Sequence, residues 1–159
     1  MINESNFTHL DEKGQARMVD VANRDVSVRT ATASGCVKLS STVVALLREG
    51  GVPKGDVLAT ARVAGILGAK RTPDLIPLCH PIALHAVDVE LEITDDGVSI
   101  RVSVKTADRT GVEMEALTAV SVAGLTVIDM VKALDPSASI CDVRVERKSG
   151  GRNGDWSRN

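Results

Sequence analysis

Hydrophobic and polar residues alternate with a period of two in the middle of the chain. From Val87 to Ile93 every second residue is aliphatic, and the residues between them are acidic. The alternation resumes from Val98 to Val104, after Asp95-Asp96-Gly97, with Ser and Arg at the polar positions. A period of two with a Gly-containing turn predicts a β-hairpin with one buried face. Opposite charges can pair across its outer face.

Two helices are predicted before this hairpin. Ser40 or Ser41 can cap a short helix, which Gly50-Gly51 ends. Asp56 can cap a second helix, in which apolar residues recur at helical spacing, and Pro73 closes that segment.

Three further elements complete the order. A strand lies within residues 17–37, a long helix covers about 112–134, and a last strand covers about 139–147. The resulting β-α-α-β-β-α-β plan predicts an α+β fold. We expect a ferredoxin-like sandwich, with an antiparallel sheet and helices packed on one face.

The long helix is apolar on most sides, which predicts that it is buried on most sides. A two-layer sandwich covers one side of its helices, so we expect a partner subunit to cover the other; a monomer with a thick core is the alternative. Asp129 and Lys132 interrupt this helix, where an unpaired charge is expensive. They predict a polar cleft at its C-terminal half, or else a plain surface ion pair.

Composition narrows the class of protein. Charged residues make up 25% and hydrophobic ones 43%, as in ordinary globular chains, so we expect one domain over residues 1–159 with flexible termini, at about 1–10 and 149–159. The net charge of −2 argues against nucleic-acid binding. The charges on the long helix make it a poor membrane span. Residues 1–5 carry no signal-peptide pattern, which favours a cytoplasmic protein.

The cysteines do not indicate a disulfide framework. Cys36, Cys79 and Cys141 are odd in number and widely spaced, and no C-x-x-C is present. This usage makes a disulfide scaffold improbable and fits a reducing cytosol.

Cys79 and His80 lie side by side between Pro77 and Pro81. The prolines stiffen the backbone and favour an extended conformation. A thiol beside a titratable imidazole is suited to acid–base chemistry. Zinc binding together with His85 is an alternative, but this spacing is unlike that of structural zinc sites, so we expect no metal.

Carboxylates and cations supply further candidate groups. Glu113 and Glu115 lie at the start of the long helix, where acidic residues are also favoured simply by the helix dipole. Lys148 precedes Gly150-Gly151, whose amides can approach a phosphate, although a disordered tail is the alternative. A basic cluster brackets the second helix and predicts an anion site or a solvated face: Lys54, Arg62, Lys70, Arg71.

Several longer motifs occur together in a fixed order. They are Met18-Val19-Asp20-Val21, Lys54-Gly55-Asp56-Val57, Ala59-Thr60-Ala61-Arg62, the segment from Lys70 to Pro81, the segment from Thr110 to Leu117, Asp129-Met130-Val131-Lys132-Ala133 and Lys148-Ser149-Gly150-Gly151. Over nearly the whole chain this set resembles the MoaC family of cyclic pyranopterin monophosphate synthases.

The resemblance implies a lyase of molybdenum cofactor biosynthesis. Its substrate would be 3′,8-cyclo-7,8-dihydro-GTP, rearranged to cyclic pyranopterin monophosphate with release of pyrophosphate, with no redox step and no cofactor. It also implies a ferredoxin-like catalytic domain and a homohexamer, a trimer of dimers, with sites at subunit boundaries.

The resemblance also assigns roles to residues of this chain. Lys132 would be a general acid/base whose proton affinity is lowered by a nearby cation and by partial burial. Asp129 would orient it or shuttle protons, and Lys54 would protonate the departing ring atoms or hold phosphate. The pterin end would be shaped by Leu78, Cys79, His80, Glu113, Met114 and Glu115. The triphosphate would be bound by Arg29, Lys70 and Lys148.

Two other classes of function stay open. A nucleotide-sensing module on the same fold would need no acid–base couple, and Asp129 with Lys132 speaks against it. A zinc-dependent hydrolase would use Cys79, His80 and His85.

Overall fold

A computed structural model describes residues 9–159 as one sheet covered on one face by helices. In chain order, the elements are β1 (Ser27–Lys38), α1 (Ser41–Glu49), α2 (Val57–Lys70), α3 (Thr72–Leu75), β2 (Ala86–Thr94), β3 (Gly97–Asp108), α4 (Glu113–Val131), β4 (Ser139–Ser149) and β5 (Trp156–Ser157). The sheet has five antiparallel strands in the order β2-β3-β1-β4-β5. The predicted α+β fold is confirmed, with the short helix α3 and the short strand β5 added to the predicted order.

The predicted helix caps are present. The Ser40 hydroxyl accepts from the backbone N–H of Val43, and Gly50 ends α1 with a left-handed φ of 68°. The Asp56 carboxylate accepts from the N–H of Ala59 at the start of α2. These polar groups satisfy N–H donors that have no partner inside their helices.

The β2-β3 hairpin has the predicted register. Val89 lies opposite Val102 on the buried face, and Glu90 lies opposite Arg101 on the outer face. Gly97 follows the turn with a φ of 151°, where a Cβ atom would collide with the carbonyl group of Val37. Glycine is therefore required at this close approach of two backbones.

Helix α4 is the centre of the core. It packs on β1, β3 and β4 and lies beside α2, where Gly65 and Gly68 allow a close approach. By length and composition α4 is apolar enough to cross a membrane, with a mean hydropathy of 1.6. Contrary to the prediction from the sequence, the charges of this helix alone therefore do not make it a poor membrane span. Its packing identifies it as a core helix, because 56% of that apolar window is buried inside the chain.

Apolar side chains remain exposed on the helical side of the molecule. The relative exposures of Val63, Leu67 and Leu125 are 68%, 56% and 59%. Clustered exposed aliphatic residues are typical of surfaces that associate.

Cys36 and Cys141 form a disulfide, contrary to the expectation from cysteine spacing. The two residues are 105 positions apart, but β1 and β4 pair so that they lie opposite each other, with Cα atoms 5.1 Å apart. Sequence separation says nothing about this pairing, which the sheet topology determines. Cys79 is the free cysteine.

The C-terminal tail folds back on the sheet. Trp156 and Ser157 pair with Lys148 and Arg147 of β4, and the Asp155 carboxylate accepts from the N–H of Gly150. Flexibility of residues 149–159 stays a prediction, although the tail has this defined pairing. Most of the other predicted flexible end, residues 1–8, lies outside the described residues.

Candidate active site

A cavity of about 630 Å³ lies where the start of β1, the end of β4 and the start of α4 meet. Such a volume is typical of small-molecule sites. Of the nine predicted substrate-binding residues, eight line it: Arg29, Leu78, Cys79, His80, Glu113, Met114, Glu115 and Lys148. The exception is Lys70, which lies exposed at the end of α2.

Strand pairing places the two cations at one wall of the cavity. Antiparallel pairing of β1 with β4 brings Ala31 opposite Lys148, so that Arg29 and Lys148 approach the same edge. The guanidinium of Arg29 is oriented by its Nε, which donates to the carbonyl oxygen of Asp108 at 3.0 Å. Two fixed cations at one wall are suited to binding phosphate oxygens.

The glycines after β4 complete this wall. Gly150 and Gly151 have φ values of 83° and 80°. A Cβ atom at Gly150 would collide with the carbonyl of Val28, and one at Gly151 would collide with the Arg29 guanidinium. The backbone can thus lie against Arg29 only because both residues lack a side chain.

The first turn of α4 supplies the carboxylates. Glu113 pairs with Lys148, with 2.9 Å between Oε1 and Nζ. Glu115 is only 3% exposed. Burial raises the pKa of Glu115 to about 7, and the charge of Glu113 adds to this effect, while a backbone hydrogen bond opposes it. A carboxyl group that titrates near neutral pH can exchange protons with a ligand.

Glu113 and Glu115 are two residues apart, a spacing that does not share a helix face. Both nevertheless line the cavity. The cavity lies at the end of the helix and meets its first turn from more than one direction, so the capping interpretation alone is insufficient.

The Cys79-His80 segment forms the opposite wall. His80 donates from Nε2 to the carbonyl oxygen of Val19 at 2.6 Å, which fixes the ring orientation. Burial, followed by the nearby charge of Glu115, raises the pKa of the Cys79 thiol. Cys79 is therefore a neutral wall residue rather than a thiolate nucleophile.

The three predicted catalytic residues form a second cluster. Lys132 Nζ lies 2.7 Å from Asp129 Oδ1, and Lys54 Nζ lies 3.5 Å from Asp129 Oδ2. Lys54 also donates to the Asp129 backbone carbonyl at 2.7 Å. Hydrogen bonding and charge from Lys132, then the charge of Lys54, lower the pKa of Asp129.

This second cluster is exposed in the single chain. Side-chain exposures of Lys54, Asp129 and Lys132 are 46%, 60% and 59%. The predicted burial and polar cleft are therefore wrong for one chain alone. The reason is that Asp129 lies on the side of α4 that faces away from the core, as the exposed Leu125 one turn earlier does, whereas its neighbours Met130 and Val131 are buried.

The two clusters lie at opposite ends of α4. Sixteen residues separate Glu113 from Asp129, which corresponds to about 24 Å along a helix. One chain does not bring both clusters around one small ligand.

Sequence reasoning from individual residues missed other cations and polar groups of the cavity. Arg24, Arg152, Thr110 and Asn153 also line it. They come from loops, where spacing carries no periodic signal. The nearest signal in the sequence is the Gly-rich tail around Arg152, for which disorder is a strong alternative interpretation.

Comparison with known proteins decides the family. A sequence profile of the MoaC family matches residues 18–151. The chain belongs to the MoaC family. The part of it that matches the MoaC profile contains both residue clusters, from Arg29 to Lys148.

Individual members of the MoaC family are similar to this chain over almost its full length. The cyclic pyranopterin monophosphate synthase of Streptomyces avermitilis is 67% identical over 98% of this chain and 91% of its own length. The cyclic pyranopterin monophosphate synthase of Nocardioides sp. is 67% identical over 96% of this chain and 95% of its own length. The cyclic pyranopterin monophosphate synthase 2 of Mycobacterium tuberculosis is 58% identical over 96% of this chain and 91% of its own length.

Proposed function

We propose that this chain is a cyclic pyranopterin monophosphate synthase, a lyase of molybdenum cofactor biosynthesis. It rearranges 3′,8-cyclo-7,8-dihydro-GTP to cyclic pyranopterin monophosphate and releases pyrophosphate. The observation that carries this proposal is a single cavity that Arg29 and Lys148 line at one wall and the carboxylates of Glu113 and Glu115 line at another. That distribution matches a substrate with a triphosphate at one end and a guanidine-like ring system at the other. Membership of the MoaC family supports the same reaction.

Different residues of the cavity bind different parts of the substrate. Arg29 and Lys148 bind triphosphate oxygens, and the absence of side chains at Gly150 and Gly151 keeps that wall close to Arg29. Glu113 and Glu115 accept N–H groups of the pterin end, since carboxylates are strong acceptors. His80, Leu78, Cys79 and Met114 form the remaining walls. Lys70 reaches the triphosphate only from another subunit.

The proton-transfer residues also come from a neighbouring subunit. Lys132 acts as general acid/base, Asp129 orients it, and Lys54 protonates the departing ring or holds phosphate. Their exposure and their distance of about 24 Å from the cavity along α4 support this arrangement. The assembly is a homohexamer, a trimer of dimers, and the exposed aliphatic residues of α2 and α4 favour contacts on the helical side.

The reaction proposed here is redox-neutral. The protein therefore needs no organic cofactor. Its substrate is a small molecule, and we place the reaction in the cytoplasm as part of the same proposal. The net charge of −2 and the core position of α4 give no support for nucleic-acid or membrane partners.

A direct assay tests the function. Purified protein is incubated with 3′,8-cyclo-7,8-dihydro-GTP, and the product and pyrophosphate are measured by mass spectrometry and a coupled assay. We expect equal amounts of cyclic pyranopterin monophosphate and pyrophosphate. Intact substrate after long incubation with assembled protein would refute the proposal.

The zinc hydrolase alternative is weaker in the structure. His80 donates to the Val19 carbonyl, whereas His85 accepts from the N–H of Ala107 at 3.3 Å. The two rings are thus engaged with different backbone segments and do not converge with Cys79 on one point. Full activity after treatment with a zinc chelator is the expected result.

A further inference from the structure

Three metal-binding side chains meet on the sheet face that the helices do not cover. The sulfur atoms of Cys36 and Cys141 and a carboxylate oxygen of Asp142 all lie within 4.8 Å of one another. Cys36 is on β1, and the other two residues are on β4. This cluster lies outside the substrate cavity, whose lining it does not share.

A β-bulge creates the cluster. In a regular strand, Cys141 and Asp142 would point to opposite faces of the sheet. The β1–β4 register shifts between Ser34 and Cys36, and Asp142 has a left-handed φ of 54°. This bulge turns the Asp142 carboxylate toward the sulfur atoms of Cys36 and Cys141. Among the described non-glycine residues, Asp142 alone has a positive φ.

The surroundings give the cluster space and favour thiolates. A cavity of about 330 Å³ opens beside Cys36 and Asp142 and is also lined by Arg101 and Arg144. Arginine side chains near a thiol favour its ionised form, which is the form that binds metals. They also offset part of the charge of two thiolates and a carboxylate.

We propose that reduced Cys36 and Cys141, with Asp142, form a binding site for a thiophilic divalent cation of the Zn²⁺ class. Two sulfur ligands select such ions over Mg²⁺ and Ca²⁺, which prefer oxygen. A tetrahedral zinc ion with Zn–S distances of about 2.3 Å separates its sulfur ligands by about 3.8 Å. Opening the S–S bond frees both side chains to reach that separation. Solvent occupies the fourth position.

The disulfide in the structure is the closed state of this site. A phosphine and one water molecule open it: two electrons pass from phosphorus to the sulfurs, two protons come from the water, and its oxygen leaves as phosphine oxide. Each thiol then loses its proton as the cation binds. Oxidation consumes both sulfur ligands, so metal binding depends on the redox state of the protein.

This site does not depend on the proposed enzymatic function. Its residues lie on the outer face of the sheet, whereas the exposed aliphatic residues lie on α2 and α4 on the other side. A metal-binding assay can therefore fail while the enzyme is active, and can succeed while it is not.

The test is titration of full-length protein, reduced with a phosphine under nitrogen, with Cd²⁺ as the probe. Cadmium–thiolate bonds give an ultraviolet charge-transfer band. We expect saturation at one Cd²⁺ per chain, displacement by Zn²⁺, and no band in the oxidised protein until it is reduced again. Asp142→Asn keeps both thiols and should weaken binding by at least about tenfold, the order seen when metal sites lose supporting groups.

Cysteine variants provide the matched comparison. Cys36→Ser should abolish the saturable band, whereas Cys79→Ser, which removes the remaining thiol, should leave it unchanged. A band of equal strength in a Cys36→Ser/Cys141→Ser double variant would overturn the proposal. So would equal binding by the oxidised and reduced wild-type protein, or the absence of saturable binding by the reduced protein.

Discussion

At the scale of single residues, the chemistry depends on where a charge is buried and where it is exposed. Glu115 is buried at the start of α4 and titrates near neutral pH, with a pKa of about 7. Asp129 is exposed between Lys54 and Lys132, which lower its pKa and keep it ionised. The two acids are therefore suited to different tasks: Glu115 to exchanging a proton, and Asp129 to providing a permanent negative charge.

Lys132→Arg separates proton transfer from binding. Arginine keeps the positive charge beside Asp129, but its guanidinium does not deprotonate near neutral pH. We expect normal folding, assembly and binding of a GTP-like ligand, with turnover reduced by roughly a hundredfold or more, the usual effect of losing a general acid/base. Single-turnover measurements with 3′,8-cyclo-7,8-dihydro-GTP check this. A near-normal rate would make Lys132 a binding residue.

Glu115→Gln should change how stability depends on pH. The folded-state pKa of Glu115 is raised from 4.5 to about 7, so its neutral form is favoured in the folded protein. Stability from this group is fully present below about pH 4.5 and is lost as the pH rises through 7. Gln mimics the neutral form. The variant should therefore be more stable than wild type at pH 8, by at most about 3 kcal/mol.

Denaturant unfolding at pH 5 and pH 8 measures this difference. The stability gap between the two proteins should narrow toward pH 5. A gap that is equal at both pH values would contradict the raised pKa. Glu90→Gln is the matched control, because Glu90 is exposed on the outer face of β2, away from Glu115.

At the scale of elements, close packing depends on small residues between helix and sheet. Gly35 on β1 faces α4, and a Cβ atom there would lie 2.7 Å from Val120 Cγ1 and 3.2 Å from Val143 Cγ2. Real Cβ atoms essentially never come closer than 3.0 Å to another heavy atom, as this one would to Val120 Cγ1. Helix α4 could not keep its distance from the sheet if this residue were larger.

Gly35→Ala should destabilise the fold by about 1–3 kcal/mol, the usual effect of overpacking. A double-mutant cycle with Val120→Ala tests the cause. Removing Val120 Cγ1 relieves the contact, so Gly35→Ala should be less costly in the Val120→Ala background. Additive effects on the free energy of unfolding would show that this contact is not responsible.

Elements were easier to predict than the contacts between them. Alternation from Val87 to Val104 and the caps at Ser40 and Asp56 are local signals, and the structure contains the corresponding elements. The pairing of β1 with β4 is not local, and for that reason the Cys36–Cys141 disulfide was not predicted. The resemblance supplied the residues around the cavity, since spacing alone could not bring Arg29 to Glu113.

At the scale of the whole molecule, the two clusters lie about 24 Å apart along α4, which is why we propose that a second copy of the chain completes each site. If each active site takes Lys132 from one subunit and Glu113 from another, single-residue variants can complement each other. This property distinguishes a shared site from one that is complete within a subunit.

Mixed hexamers of Lys132→Arg and Glu113→Gln subunits should recover activity. With equal, random mixing, about a quarter of the sites contain neither substitution, so about a quarter of the wild-type rate is expected. The two variants are unfolded and refolded together, and sedimentation verifies the assembly. Mixing that restores nothing, or a protein that sediments as a monomer at micromolar concentration, would contradict a shared site.

The strand order also has a consequence for how the chain acquires its fold. β1 is the first strand in the sequence and occupies the middle of the sheet, yet its two neighbours come much later: Ser27 pairs with Asp108 and Thr30 with Ser149. Closing such long loops before any pairing energy is gained slows folding. During synthesis, one edge of β1 stays unpaired until β3 has been made, and the other edge stays unpaired until β4 has been made. The nascent chain therefore cannot complete its central sheet until nearly all of it has left the ribosome.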